Sequence, residues 1–270
     1  MDLRNVIFAI ALSFAVLFGW SVIFETPQIE EQNKSQQTQR SQKTEKQTSD
    51  APSVNFENNK ALNISREDAI NTGKRIKFEN ENVKGSISLK GALIDDITFK
   101  NYKDKLGSDK NVTYLNPAET NDGYFVETGW AASNVGKISL PTSDSVWNVK
   151  GNNKLSVNNP VIIEWNNKSG LIFRKKIEID EKFLFRVTQE IQNQSGNRVD
   201  LYPYAQITRN VAPDVTDFYI LHEGFIGVFD EELKEESYDD IEDKKQEYNA
   251  GEGWIGITDK YWLTALVPEK

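Results

Sequence analysis

The sequence predicts a mainly β protein carried on one N-terminal transmembrane helix. Three observations lead there. From about residue 74 onward, apolar residues recur with period two over many short stretches, the signature of strands with one buried face. A charge-free apolar run, Val6 to Phe24, precedes them. Between the two lies a polar stretch with no apolar period at all.

The apolar run reads VIFAIALSFAVLFGWSVIF, interrupted only by Ser13, Gly19 and Ser21. About 19 helical residues rise roughly 28 Å, close to the hydrocarbon thickness of a bilayer. A cleavable signal would show a shorter apolar region and a small-x-small exit. Here the exit is Phe24-Glu25-Thr26-Pro27, so an uncleaved anchor over residues 1–24 is the preferred reading. Trp20 is expected at the outer membrane interface. Arg4 and the terminal amine precede the helix, and Glu25, Glu30 and Glu31 come before the first downstream base, Lys34. That asymmetry favours a cytoplasmic N-terminus.

Residues 25–60 are rich in Gln, Ser, Thr, Lys and Asn and cannot bury enough surface to offset ordering. They are expected to be a disordered tether, with an r.m.s. span of roughly 33 Å for about 35 residues. A folded domain is then expected over residues 61–270. It begins with a short helix from Ser65 to Thr72, capped by Ser65 and followed by Gly73.

The strand signals follow in order. In Val83 to Phe99, residues Val83, Ile87, Leu89, Leu93, Ile97 and Phe99 all take odd positions, with Ser86, Asp96 and Thr98 on a side expected to be wet. Gly85 and Gly91 share the odd parity and predict a bend or bulge. Leu171, Phe173, Ile177 and Ile179, a turn at Asp180-Glu181-Lys182, and Phe183, Phe185, Val187 and Ile191 predict a long hairpin. After a turn at Gln194 to Asn197 comes a strand from Val199 to Ile207. Gly123 to Trp130, Val146 to Val149, Val161 to Trp165, Phe225 to Phe229, Trp254 to Thr258 and Trp262 to Val267 complete the set. Such a run of antiparallel strands predicts a two-sheet sandwich. The acidic run Asp230 to Glu247 has no Gly for a Ca²⁺ turn and is expected to be a solvated loop or short helix.

Composition removes several functions. A formal net charge of −9 argues against nucleic acid as a partner. With no cysteine, thiolate metal sites and disulfides are excluded. One histidine, His222, leaves no site built on two imidazoles. Beside Glu223 it has the makings of a general base, but a structural role is the simpler expectation. Trp130, Trp147, Trp165, Trp254 and Trp262, with Tyr202 and Tyr204, are candidates for a carbohydrate groove and equally for ordinary core filling. No catalytic, cofactor-binding or metal residue is assigned, and no cofactor is expected.

Three segments carry a family resemblance. They are the start, Met1-Asp2 with Arg4-Asn5, Ala11-Leu12, Phe14 and Trp20; Phe183 to Gly196, FLFRVTQEIQNQSG; and Gly253 to Pro268, GWIGITDKYWLTALVP. Together they resemble the N-terminal part of the bacterial YidC membrane protein insertases. The resemblance implies a periplasmic β-supersandwich of two large antiparallel sheets, akin to sugar-epimerase-like domains. It implies a non-enzymatic role in inserting and folding inner-membrane proteins, alone or beside the Sec translocon. Implied partners are the bilayer through residues 6–24, Sec components docking on the later half of the domain, and nascent membrane proteins. The family's insertase core, five later transmembrane helices, has no counterpart here. The last strands of the domain are missing as well, so the chain is expected to be a fragment or a truncated frame. The competing reading is a membrane-tethered carbohydrate-binding or sugar-active domain.

Overall fold

A computed structural model of the chain describes residues 64–133, 138–213 and 222–269. The anchor at 1–24 and the tether at 25–60 lie outside the described residues. Among those described, no helix is long and apolar enough to cross a membrane.

The described chain opens with helix α1 (Arg66–Asn71). Ser65 caps it as expected: its Oγ accepts the Asp68 N–H at 3.1 Å, and Glu67 and Asp68 sit in the first turn. Gly73 follows with φ of 93°, a conformation open to glycine without a Cβ penalty. Fifteen strands follow. These are β1 (Arg75–Glu79), β2 (Val83–Ser88), β3 (Ile94–Lys103), β4 (Asn111–Leu115), β5 (Tyr124–Ala132), β6 (Asn148–Lys150), β7 (Lys154–Leu155) and β8 (Val161–Asn166). Then come β9 (Leu171–Ile179), β10 (Phe185–Asn193), β11 (Leu201–Arg209), β12 (Gly224–Phe229), β13 (Glu232–Ser237), helix α2 (Tyr238–Asp243), β14 (Gly253–Thr258) and β15 (Leu263–Leu266).

The strands form three hydrogen-bonded sheets rather than the two expected. A seven-stranded sheet runs β11-β5-β3-β2-β1-β7, with β4 also on β3. A four-stranded sheet runs β10-β9-β8-β6, and a third runs β13-β12-β14-β15. Every ladder is antiparallel except one short parallel pairing of Lys77-Phe78 with Lys154-Leu155.

The first two sheets pack face to face. The period-two rule places Leu171, Phe173, Ile177 and Ile179 on the buried face of β9, with Val161 and Ile163 beside them on β8. Opposite lie Ile76 and Phe78 of β1, Ile87 of β2 and Trp130 of β5. Trp130 meets Phe173 at 5.0 Å between ring centroids, and Phe78 meets Phe185 edge-on at 5.1 Å.

The stretch Val83 to Phe99 is a hairpin rather than one bent strand. Gly91 (φ 71°) and Ala92 (φ 55°) make its turn. A bulge interrupts it: Ser86 faces Asp96 and Ile87 faces Ile94, leaving Asp95 as the extra residue. Asp95 and Asp96 are consequently both buried, and so is Ser86. The side expected to be wet is therefore dry at its centre. Four strands escaped the sequence pattern: β1, β4, β7 and β13. β1, with the chain order RIKFE, carries Arg75, Lys77 and Glu79 at alternate positions, and β7 is only two residues long. The acidic run is part strand, β13, and part helix, α2, which Ser237 and Asp240 start with a reciprocal capping box.

Gly85 marks the tightest point of the hairpin. A Cβ there would sit 1.8 Å from the Asp96 carbonyl oxygen, which is backbone and has nowhere to move. Gly85→Ala is expected to destabilise the chain by about 3 kcal/mol, read as a lowered urea midpoint at unchanged slope. A loss under about 0.5 kcal/mol would show that this contact does not constrain the hairpin.

Candidate functional site

His222 Nε2 lies 2.8 Å from the Phe225 carbonyl oxygen, so the ring fastens the entry to β12. The aromatic residues do not line one groove. Trp130 and Trp147 stack 6.3 Å apart in the core, and Trp165 packs beside Phe173. Tyr204 lies across Gly129, where its hydroxyl donates to Glu127 at 2.9 Å, and Tyr202 is exposed. Among the described residues, no group of three or more His, Cys, Asp or Glu side chains could hold a metal ion.

The chemistry that sequence reasoning missed is buried charge. Lys175 stands on the buried face of β9 at 1 % exposure. Its Nζ donates to the Thr128 carbonyl oxygen at 2.5 Å and lies 4.9 Å from the Trp147 ring centroid. Burial pulls its pKa down to about 7, and the Glu127 charge opposes that only weakly. Its even spacing with Phe173 and Ile177 was visible, but a lysine in an apolar row normally reads as a break in pattern.

A second cluster centres on the bulge. Arg75 forks onto Asp95 and also donates Nε to Ser86 Oγ at 2.7 Å. Ser86 Oγ donates to Asp96 at 2.6 Å, and Arg66 of α1 pairs with Asp96. Burial raises the Asp95 pKa to about 6 against the pull of Arg75. These charges face one another rather than a cavity, so they fasten α1, β1, β2 and β3 together.

The third cluster joins the third sheet to the body. Tyr124 OH donates to Thr264 Oγ1 at 2.8 Å, and Thr264 Oγ1 donates to Tyr114 OH at 2.9 Å. Arg209 donates to Asp259 at 2.7 Å, with its guanidinium 4.7 Å from the Tyr124 ring centroid. Trp262 meets Phe99 at 4.6 Å. Asp259, Trp262 and Thr264 all belong to the GWIGITDKYWLTALVP stretch, whose role is thereby physical: it is the joint.

Strand register assigns Ile226, Val228, Trp254, Leu263 and Ala265 to the face of the third sheet opposite Phe225 and Ile257, which pack on the core. Leu263 and Leu233 are exposed there. An apolar sheet face of this kind is the surface best suited to a protein partner.

The family described as YidC periplasmic domain matches residues 75–270. The chain is 45 % identical over 270 residues to the membrane protein insertase YidC of Pelagibacter ubique (strain HTCC1062), covering 100 % of this chain and 47 % of that protein. It is 40 % identical over 212 residues to the Jannaschia sp. (strain CCS1) protein of the same name, covering 74 % and 34 %. It is 43 % identical over 199 residues to the Rickettsia bellii (strain OSU 85-389) protein, covering 73 % and 35 %. The chain thus spans between a third and a half of the length of these relatives.

Two outcomes are expected from the buried charges. Between pH 7 and 10.5 the unfolded chain holds a proton on Lys175 that the folded chain has released. Stability should therefore rise with pH across that window, and Lys175→Met should flatten the rise in a urea series. Asp95→Asn strands the Arg75 cation and should cost about 3–5 kcal/mol, whereas a neutral result would mean that water reaches Arg75. At the joint, Asp259→Asn should cost about 2 kcal/mol and speed amide exchange in β12, β14 and β15 ahead of β9.

Proposed function

We propose, from the premise that this chain belongs to the YidC family of membrane protein insertases, that it forms the membrane-anchored periplasmic part of such an insertase. The observation that carries this reading is the family match over residues 75–270, together with identity running along the whole chain to a protein named for that activity. Residues 1–24 anchor the chain in the bacterial inner membrane, with the N-terminus in the cytoplasm. Residues 25–60 are the tether, and residues 61–270 fold as a β-supersandwich on the periplasmic side. The role of the domain is accessory and non-enzymatic: it assists insertion and folding of inner-membrane proteins, alone or with the Sec translocon.

Sec components dock, in this reading, on the later half of the domain. The outward face of the third sheet supports that choice, because it carries the part-buried Val228 and Trp254 beside the exposed Leu233 and Leu263. The carbohydrate-binding alternative finds no support in the aromatic residues, since Trp130 and Trp147 are core.

The chain has no cysteine, so single cysteines report cleanly. Ala265→Cys and Asn152→Cys should both react with a membrane-impermeant maleimide in intact spheroplasts. Protection of both until the membrane is broken would overturn the periplasmic placement. A photo-crosslinker on Ala265→Cys should capture Sec components, while one on Asn152→Cys should not. Equal capture from both positions would remove the assigned docking face.

A further inference from the structure

Four turns gather at one end of the domain. Asn80 Nδ2 donates to the carbonyls of Asp180 and Lys182, which ties the β1–β2 turn to the β9–β10 turn. Asn101 reaches Glu81 and Asn82, bringing in the end of β3. Tyr102 meets Trp262 at 4.8 Å, bringing in the β14–β15 turn.

This end is apolar at its tips. Leu106, at the tip of the β3–β4 loop, is fully exposed, and Tyr261 is 74 % exposed. Tyr102 and Phe183 are a little under half exposed, with Phe99 packed beneath both. Phe99 and Trp262 thus give the outer rings a rigid floor.

Charge is arranged around the same residues. Each tip has a lysine beside it in sequence: Tyr102 with Lys103, Leu106 with Lys105, Phe183 with Lys182, and Tyr261 with Lys260. Some of the carboxylates at this end already have partners. Asp180 accepts the N–H groups of Lys182 and Leu184, Asp259 pairs with Arg209, and Glu269 pairs with Arg186. Asp104 is held by Ser108, while Glu81, Asp109 and Glu181 are the remaining acids in these turns. In a chain of net charge −9, this end brings exposed apolar tips and lysines together.

Aromatic rings and leucines with lysines beside them suit the interface of an anionic bilayer. The rings settle at headgroup depth and the ammonium groups meet lipid phosphates. We infer that the end built from Tyr102, Leu106, Phe183 and Tyr261 is a second membrane-contact surface that lays the domain against anionic lipid. A protein partner would bury the lysines along with the rings, whereas a lipid surface takes the apolar tips and leaves the lysines at the phosphates. Each lysine near such a surface is worth about fivefold in partition, screened by salt. The inference rests on the proposed anchoring of residues 1–24, because a tethered domain meets the bilayer at high local concentration.

The test uses the whole chain reconstituted in vesicles of phosphatidylcholine with about one third phosphatidylglycerol, a fraction chosen to give an anionic surface. An environment-sensitive dye is placed on Leu106→Cys, on Tyr261→Cys, or on Asn152→Cys. Asn152 precedes β7, whose Lys154 lies beside Lys77, and so marks the other end of β1. Dye at Leu106 and Tyr261 should shift to the blue and be quenched by brominated lipid, and dye at Asn152 should do neither. Pure phosphatidylcholine or high salt should shrink the shift several-fold, as should Lys105→Glu with Lys182→Glu. No shift, or an equal shift at Asn152, overturns the proposal. A shift that grows with protein density but is untouched by brominated lipid overturns it in favour of contact between copies. If the chain does not float with vesicles at all, the anchor reading fails instead.

Discussion

Strand β5 is the constraint on which the sandwich depends. Its ladder to β11 runs the whole length, Tyr124 to Ala132, but β3 touches it only through Ile94 and Val126. Beyond that point no described strand pairs with its second side, where the chain passes from part-buried to buried. Strand carbonyls cannot be left bare there. The four-stranded sheet supplies the donors: Lys175 reaches the Thr128 oxygen, and Gln189 reaches the Gly129 oxygen at 2.7 Å. A lysine in the core is thus the consequence of a strand that leaves its neighbour early. The ring faces of Trp147 and Trp130 flank the Lys175 nitrogen there, at 4.9 and 6.0 Å to their centroids.

The bulge in the β2–β3 hairpin works by a similar exchange. Inserting Asp95 turns two consecutive acids inward, and two arginines from α1 and β1 neutralise them. Removing charge from the interior altogether would be no worse for stability. What the pairs add is register. Arg75 bonds both Ser86 and Asp95, so a shift of β1 along β2 would separate the buried Arg75 and Asp95 charges.

These features explain where sequence reading succeeded and where it stopped. Period two found β9 and β10 nearly residue for residue, because β9 carries one clean buried row and β10 one part-buried row at the same period. The cap at Ser65 and the glycine after the helix were legible as local chemistry. β13 was hidden because ELKEES pairs along β12 by backbone alone, with few apolar side chains to announce it. β1 was hidden because Arg75, Lys77 and Glu79 mask Ile76 and Phe78, although Ile76 and Phe78 are buried. The buried ion pairs were illegible in principle. A charged side chain in the sequence carries no sign of whether a partner twenty or thirty residues away will take it inside. The motif around Trp262 was recognised by likeness, but its work at the joint became readable only with Tyr114, Tyr124 and Arg209 in place.

The single parallel pairing has a kinetic meaning. Lys77-Phe78 and Lys154-Leu155 meet across nearly all of the chain that separates the first strand from the second sheet. Two residue pairs cannot repay the entropy of closing so large a loop until the intervening hairpins are formed. Leu155, fully enclosed among the core residues, is therefore placed late, as the seal on a sandwich whose local hairpins assemble first.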